Sequence, residues 1–189
     1  MSQGNGIRLI FLGAPGAGKG TQAQILAEVC GIPHISTGEI LRTAISEKTE
    51  LGIQAQGFVD RGELVPDALI LDLIRERLGQ SDTEKGWILD GFPRNVSQAK
   101  FLNSLLAELN QNCNVALNLE VSDEALIKRL LGRGRQDDNE VTIGRRLEVY
   151  REQTAPVIDF YHNEGLLKSI DGDRPMEDVT AALKACVSV

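Results

Sequence analysis

Cysteine, positive charge and long apolar runs are all scarce in this chain, and each scarcity excludes a class of function. The three cysteines, Cys30, Cys113 and Cys186, are odd in number and far apart. They suit neither a disulfide framework nor a CxxC metal knuckle, so a reducing compartment is expected. Lysine and arginine total 20 against 27 aspartate and glutamate, a net charge of −7. No global basic field exists to hold nucleic acid or an anionic membrane. No apolar run approaches the roughly 18 residues of a spanning helix. The opening MSQGNGIRLIFLG has a short apolar run that ends in glycine and no secretory signal pattern, so a cytoplasmic location is expected. Repeats, low-complexity tracts and an interdomain linker are also missing. What remains is 189 residues, 42% hydrophobic and 25% charged, a composition suited to one globular domain with small inserted elements.

Short aliphatic runs alternate with longer segments of helical periodicity. IRLIFLG precedes TQAQILAEVC and PHIST; GWILDG precedes SQAKFLNSLLAEL; NVALNLEV precedes DEALIKRLLGR; LLKSID precedes MEDVTAALKACV. This alternation predicts an α/β fold in which helices cover both faces of a parallel sheet. Between PHIST and GWILDG, three helical segments follow one another with no strand among them, which marks an insertion into the plan. Gly62 fits the end of the second and Pro66 the first turn of the third. A second irregular stretch, Gly132 to Asn139, separates two helices.

The first strand runs directly into GAPGAGKGT, a GxxxxGK loop from Gly13 to Lys19, with a helix expected from about Thr21. Glycines let successive backbone N–H groups converge on phosphate oxygens, the helix adds its positive end, and Lys19 neutralises phosphate charge. Gly20 follows the lysine, so the hydroxyl comes one position later, at Thr21. Asp90, closing the strand GWILD, is placed to hold Mg²⁺ or its water beside such a loop.

Six of the thirteen arginines (Arg129, Arg133, Arg135, Arg145, Arg146 and Arg151) fall within 23 residues. Their clustering suggests a local anion site. Arg129 and Arg133 are four apart and share a helix face. With Ile143, Leu147, Tyr150 and Thr154 as one buried helix face, Arg146 lies about 60° from its centre and Arg145 nearly opposite. Arg146 then needs an anionic partner, whereas Arg145 is solvated. His34 and His162 have no Cys or Ser constellation, and a structural role is expected for both.

GAPGAGKGT, HISTGEILR, GELVPD, DGFPRNVSQ, GRQDDNEVTIGRRLEVY and IDGDRP, in this order, resemble the adenylate kinases, within the nucleoside monophosphate kinases. The resemblance covers about residues 7 to 178. It implies a P-loop kinase fold with a five-stranded parallel sheet. The core would comprise residues 1–36, 67–131 and 141–189, the AMP-binding helical insertion residues 37–66, and a short lid residues 132–140. The implied reaction is reversible transfer from MgATP to AMP, giving two ADP, by a cytoplasmic monomer.

By the same resemblance, ATP would meet Pro15, Gly16, Ala17, Gly18, Lys19, Gly20, Thr21, Arg129, Arg133 and the backbone at Arg174. AMP would meet Thr37, Arg42, the Glu63–Leu64–Val65 backbone, Gly91, Phe92, Pro93, Arg94, Gln98, Arg135 and Arg146. Thr37 and Gln98 would read adenine. Lys19, Arg94, Arg129, Arg133, Arg135 and Arg146 would carry the chemistry, and Asp90 would serve Mg²⁺. Glu39 stands where aspartate is commoner in the family. A uridylate or cytidylate kinase is disfavoured by Thr37 and Gln98. A GTPase-like switch is disfavoured because no NKxD sequence occurs. Longer members carry an inserted lid that often holds zinc through cysteines. No cysteine lies near residues 134–139, so no structural zinc is expected, with Asp137 or Asp138 instead accepting from an arginine or capping the next helix.

Overall fold

A computed structural model describes residues 6–135 and 138–187. In chain order the elements are β1 (Ile7–Gly13), α1 (Lys19–Cys30), β2 (His34–Ser36), α2 (Thr37–Ser46), α3 (Glu50–Arg61), α4 (Asp67–Leu78), β3 (Gly86–Asp90), α5 (Val96–Glu108), β4 (Val115–Glu120), α6 (Asp123–Arg133), α7 (Glu140–Val149), α8 (Ala155–Asn163), β5 (Leu167–Asp171) and α9 (Met176–Val187). Every strand pairing is parallel, in the order β2-β3-β1-β4-β5, as the alternating pattern predicts.

Alternation along the strands divides the core into two layers. Ile10, Leu12, Trp87, Leu89 and Ala116 point to one face, where α4, α5 and α8 supply Ile74, Leu102 and Tyr161. Leu9, Phe11, Ile88, Leu117 and Leu119 point to the other, against α1, α6, α7 and α9 through Leu26, Leu130, Leu147 and Leu183. Because both faces are covered, the strands read as continuous apolar runs. Each fully buried aliphatic side chain contributes about 1.5–3 kcal/mol, so the strand ends are carried on a rigid frame.

Side-chain caps set several helix starts. Ser36, Thr49, Asn95 and Asn139 accept from the backbone N–H of Glu39, Gly52, Gln98 and Thr142 respectively. The cap of α7 is thus Asn139 rather than an aspartate, and Asp137 lies outside the described residues. Pro66 stands just before α4, in extended conformation, instead of within its first turn. Gly62 ends α3 in the left-handed conformation, as expected.

The periodicity through residue 154 predicts one straight helix face, but the structure departs from this. Residues Tyr150–Thr154 form a π turn between α7 and α8. Pro156 lies at the start of α8 and cannot donate a backbone hydrogen bond, so regular α-helical bonding is interrupted there. As a consequence Thr154 turns its hydroxyl onto the Arg94 carbonyl at 2.8 Å.

Candidate active site

The carboxyl ends of β1, β2 and β3 open into a cleft of about 600 Å³. Pairing of Ser36 with Asp90 brings the ends of β2 and β3 level, and pairing of Phe11 with Asp90 lets β1 run two residues further, to Gly13. Such a position, outside the carboxyl edge of a parallel sheet, is where loops can surround a ligand.

At one end lies the loop following β1. Gly18 immediately precedes α1 with φ 95°, a conformation that side chains disfavour, and the chain thereby turns into the helix with its free N–H groups facing the cleft. Lys19 folds back, donating from Nζ to the carbonyls of Gly13 at 2.8 Å and Ala14 at 3.1 Å. Withdrawal from solvent pulls the Lys19 pKa down to about 8; Asp90 opposes this, and the charges of Arg94 and Arg133 add to it. An incoming phosphate would supply the anionic partner that the two carbonyls only partly replace.

Asp90 closes β3 opposite the loop and is only 7% exposed. A Cβ placed on Gly20 would lie 3.7 Å from Asp90 Oδ2, so the carboxylate sits directly beside the start of α1. Burial pushes its pKa up, but the hydrogen bond from His34 and the charges of Lys19, His34 and Arg94 outweigh burial and leave it below the usual carboxylate value. His34, expected to be structural, therefore has a specific partner: its Nε2 lies 3.3 Å from Asp90 Oδ2. No local signal pointed to this pair, which topology alone brings together.

The other end of the cleft is lined by Thr37, Arg42, Glu63, Leu64 and Val65 together with the Gly91–Arg94 segment and Gln98. Gly91 has φ 84°, and a Cβ there would come within 2.6 Å of Thr37 Oγ1. Only glycine lets the β3 end pass so close to the start of α2. The Thr37 hydroxyl donates to the Asp90 carbonyl at 3.4 Å. Arg94 donates from Nε to the Gly91 carbonyl at 2.7 Å. Burial lowers the Arg94 pKa, Asp90 raises it, and Arg146 and Arg42 lower it further. This end of the cleft is therefore rich in like charges.

Between the two ends stand Arg129, Arg133, Arg135 and Arg146, all lining the cleft. Arg129 donates to the carbonyls of Ala17 and Gly172, tying α6 to the phosphate loop. Arg133 forms a two-pronged contact with Asp138, Nε to Oδ2 and Nη2 to Oδ1, each 2.7 Å. Arg146 donates to Asp138 Oδ1 at 3.0 Å, the anionic partner its helix position requires. Burial pushes the Asp138 pKa up, and the bond and charge of Arg133, with Arg146 and Arg135, bring it below the ordinary value. Arg145 projects away and pairs with Glu148 at 2.6 Å. One two-pronged and one single arginine contact on the same carboxylate resemble the way such groups hold a phosphate.

The family model for adenylate kinase matches residues 11–166. The chain belongs to the adenylate kinase family. It is 59% identical to "Adenylate kinase 1" of Synechocystis sp. over 95% of this chain and 96% of that one. Identity to "Adenylate kinase 1" of Nostoc sp. is 60%, covering 94% of this chain and 97% of the relative. "Adenylate kinase" of Leptospira biflexa is 53% identical, with 92% and 95% covered.

Two residues expected in this adenylate kinase family site are not brought to the cleft wall. Ala17 packs its methyl into the core and donates its N–H to the Ala14 carbonyl at 3.0 Å. The Arg174 side chain reaches Asp178 at 3.4 Å, about half-exposed. Thr154 and Tyr150 line the cleft although sequence reasoning used them only as a buried face. Among the described residues no group of three or more His, Cys, Asp or Glu side chains is placed to hold a metal ion. No described helix is long and apolar enough to cross a membrane. Burial pushes the Cys113 thiol up to about 12, too high for it to act as a nucleophile near neutrality.

Proposed function

We propose that this cleft carries out reversible phosphoryl transfer from MgATP to AMP, giving two ADP and so balancing adenine nucleotides. The observation that carries the reading is the single cleft itself. Its wall holds the glycine-rich loop with Lys19 at one end, Thr37, Val65 and Gln98 at the other, and arginines between them, which supports a phosphate site facing a base pocket. An AMP phosphate oxygen attacks the γ-phosphorus of ATP roughly in line. That oxygen is already largely anionic near neutrality, with a second phosphate pKa of about 6, so no general base is needed. The absence of any requirement for a His, Cys or Ser nucleophile accords with the roles assigned here to His34 and Cys113.

Lys19 exchanges its two loop carbonyls for phosphate oxygens and compensates their charge. Arg94 grips the monophosphate, Arg135 and Arg146 bridge donor and acceptor phosphates, and Arg129 and Arg133 hold the ATP side. Because these groups are fixed before reaction, their stabilisation falls on the charge that develops during transfer. The residues fit Mg²⁺: one ionised carboxylate, Asp90, beside the loop is the donor set of an ion that keeps several waters and is otherwise bound by substrate phosphates. When bound, Mg²⁺ would neutralise charge on the ATP phosphates, with Asp90 holding it or its water and His34 orienting the carboxylate.

The reading divides the chain into a core, the 37–66 insertion and the 132–140 lid, which close to exclude water. The contact of Thr142 Oγ1 with the Asp60 carbonyl at 3.3 Å supports an insertion that leans on the helix after the lid. We also infer a cytoplasmic monomer without structural zinc, acting on small nucleotides. A coupled assay with ATP and AMP, UMP or CMP tests the activity. AMP is expected to be preferred over UMP by more than about 10²-fold, because a pyrimidine leaves site hydrogen bonds unmade. Comparable kcat/KM for UMP would make the chain a pyrimidine monophosphate kinase.

A further inference from the structure

Gln98 is 3% exposed and lines the cleft, yet two of its amide hydrogen-bonding positions are already committed. Its Oε1 accepts from the Arg94 backbone N–H at 2.7 Å. Its Nε2 donates to Asp67 Oδ1 at 2.8 Å. A backbone N–H can only donate and a carboxylate can only accept, so both neighbours demand the same orientation of an amide that is otherwise free to turn over. The backbone beneath is fixed as well, since Gln98 N donates to Asn95 Oδ1 at 2.8 Å. One lone pair on Oε1 and one N–H on Nε2 remain for a ligand.

That remaining pair has a definite polarity. A 6-aminopurine offers a donor at its 6-position beside an acceptor at N1, which matches it. A 6-oxopurine offers an acceptor at the 6-position beside a donor at N1, and matches only the reversed amide. Asp67 begins α4 and is absent from the cleft wall, so it acts through Gln98 and not on the nucleotide. We infer that Asp67 is a positioning residue that fixes the Gln98 amide and thereby sets the preference for a 6-amino over a 6-oxo purine monophosphate. This rests on the reading above in which Gln98 meets the base.

The test compares kcat/KM for AMP and for inosine monophosphate, which differs at the 6-position and the N1 proton, in wild type, Asp67→Asn, Gln98→Ala and the double variant. Asparagine is nearly isosteric but can accept or donate, so the Arg94 backbone N–H alone is left to select the amide orientation. In Asp67→Asn the AMP:IMP ratio is expected to fall about tenfold, mainly through KM, and Asp67→Ser carries the same expectation should Asp67→Asn fold poorly. Gln98→Ala is expected to collapse the ratio alone, and adding Asp67→Asn to it is expected to change the ratio no further. A wild-type ratio in both folded Asp67 variants, beside a collapsed ratio in Gln98→Ala, would overturn the positioning role and leave the base reading intact. An unchanged ratio in Gln98→Ala would instead overturn the base reading, and this inference with it. Equal losses on both nucleotides, or a ratio effect of Asp67→Asn that persists without Gln98, would reduce Asp67 to support of α4 and also overturn it.

Discussion

The phosphate loop and the arginine cluster face each other across one cleft, and they are built in opposite ways. The loop is a continuous piece of chain, Gly13 to Thr21, whose donors are backbone N–H groups and one lysine folded onto its own carbonyls. The arginines arrive from the β3–α5 loop, α6, the connection that follows α6, and α7, and their charges repel. The fold answers that repulsion with Asp138, whose carboxylate has no exposed surface and is shared by Arg133 and Arg146. A backbone cradle can be ready before the ligand arrives, whereas clustered side-chain charges need a resident anion until a phosphate replaces it.

The largest effect should come from the loop. Lys19→Met is expected to lower turnover by on the order of 10² or more, equivalent to about 2.7 kcal/mol of barrier. Melting of the variant should show an intact fold, and near-wild-type turnover would mean that the backbone suffices on this side of the comparison.

On the facing side, Arg94→Ala, Arg135→Ala or Arg146→Ala should each cost on the order of 10² in kcat/KM. Arg145→Ala, which removes only an exposed pair with Glu148, should change little. Steady-state kinetics on the adjacent pair are the sharpest measurement, since equal losses at Arg145 and Arg146 would break the helix-face argument.

Asp138→Ala probes the resident anion directly. Two arginines lose their shared carboxylate, so the ligand-free protein should melt earlier, while ATP, no longer competing with that carboxylate, should bind several-fold tighter. Thermal melts and calorimetric titration read the two opposite changes; weaker ATP binding would show that Asp138 serves the bound state instead.

The smallest effect is a proton. Lys19 is held at about 8 in the ligand-free protein, and phosphate should raise it, so ATP binding should take up protons near and above pH 8 and weaken as pH rises through that value. The same depression means that the unfolded chain, with lysine near 10.4, binds a proton the folded one lacks between about pH 8 and 10. Lys19 therefore makes stability rise with pH across that window. Calorimetry in buffers of different ionisation enthalpy measures the uptake, which Lys19→Met should abolish.

What the sequence determined by itself was local. IRLIFLG followed by GAPGAGKGT can hardly do other than leave a strand, curl through glycines and enter a helix, because those backbone preferences act within a few residues. Apolar runs located the five strands, and the spacing of Arg145 and Arg146 separated a solvated side chain from a cleft-facing one. Tertiary structure alone decided which distant side chains meet. His34 reaches Asp90 across 56 positions, Asp67 reaches Gln98 across 31, and Thr154 reaches Arg94 across 60. No propensity or period encodes such pairs. They exist because the strand order sets β2 beside β3, because α4 packs on α5, and because a π turn before Pro156 rotates residues that a straight helix would have aimed elsewhere.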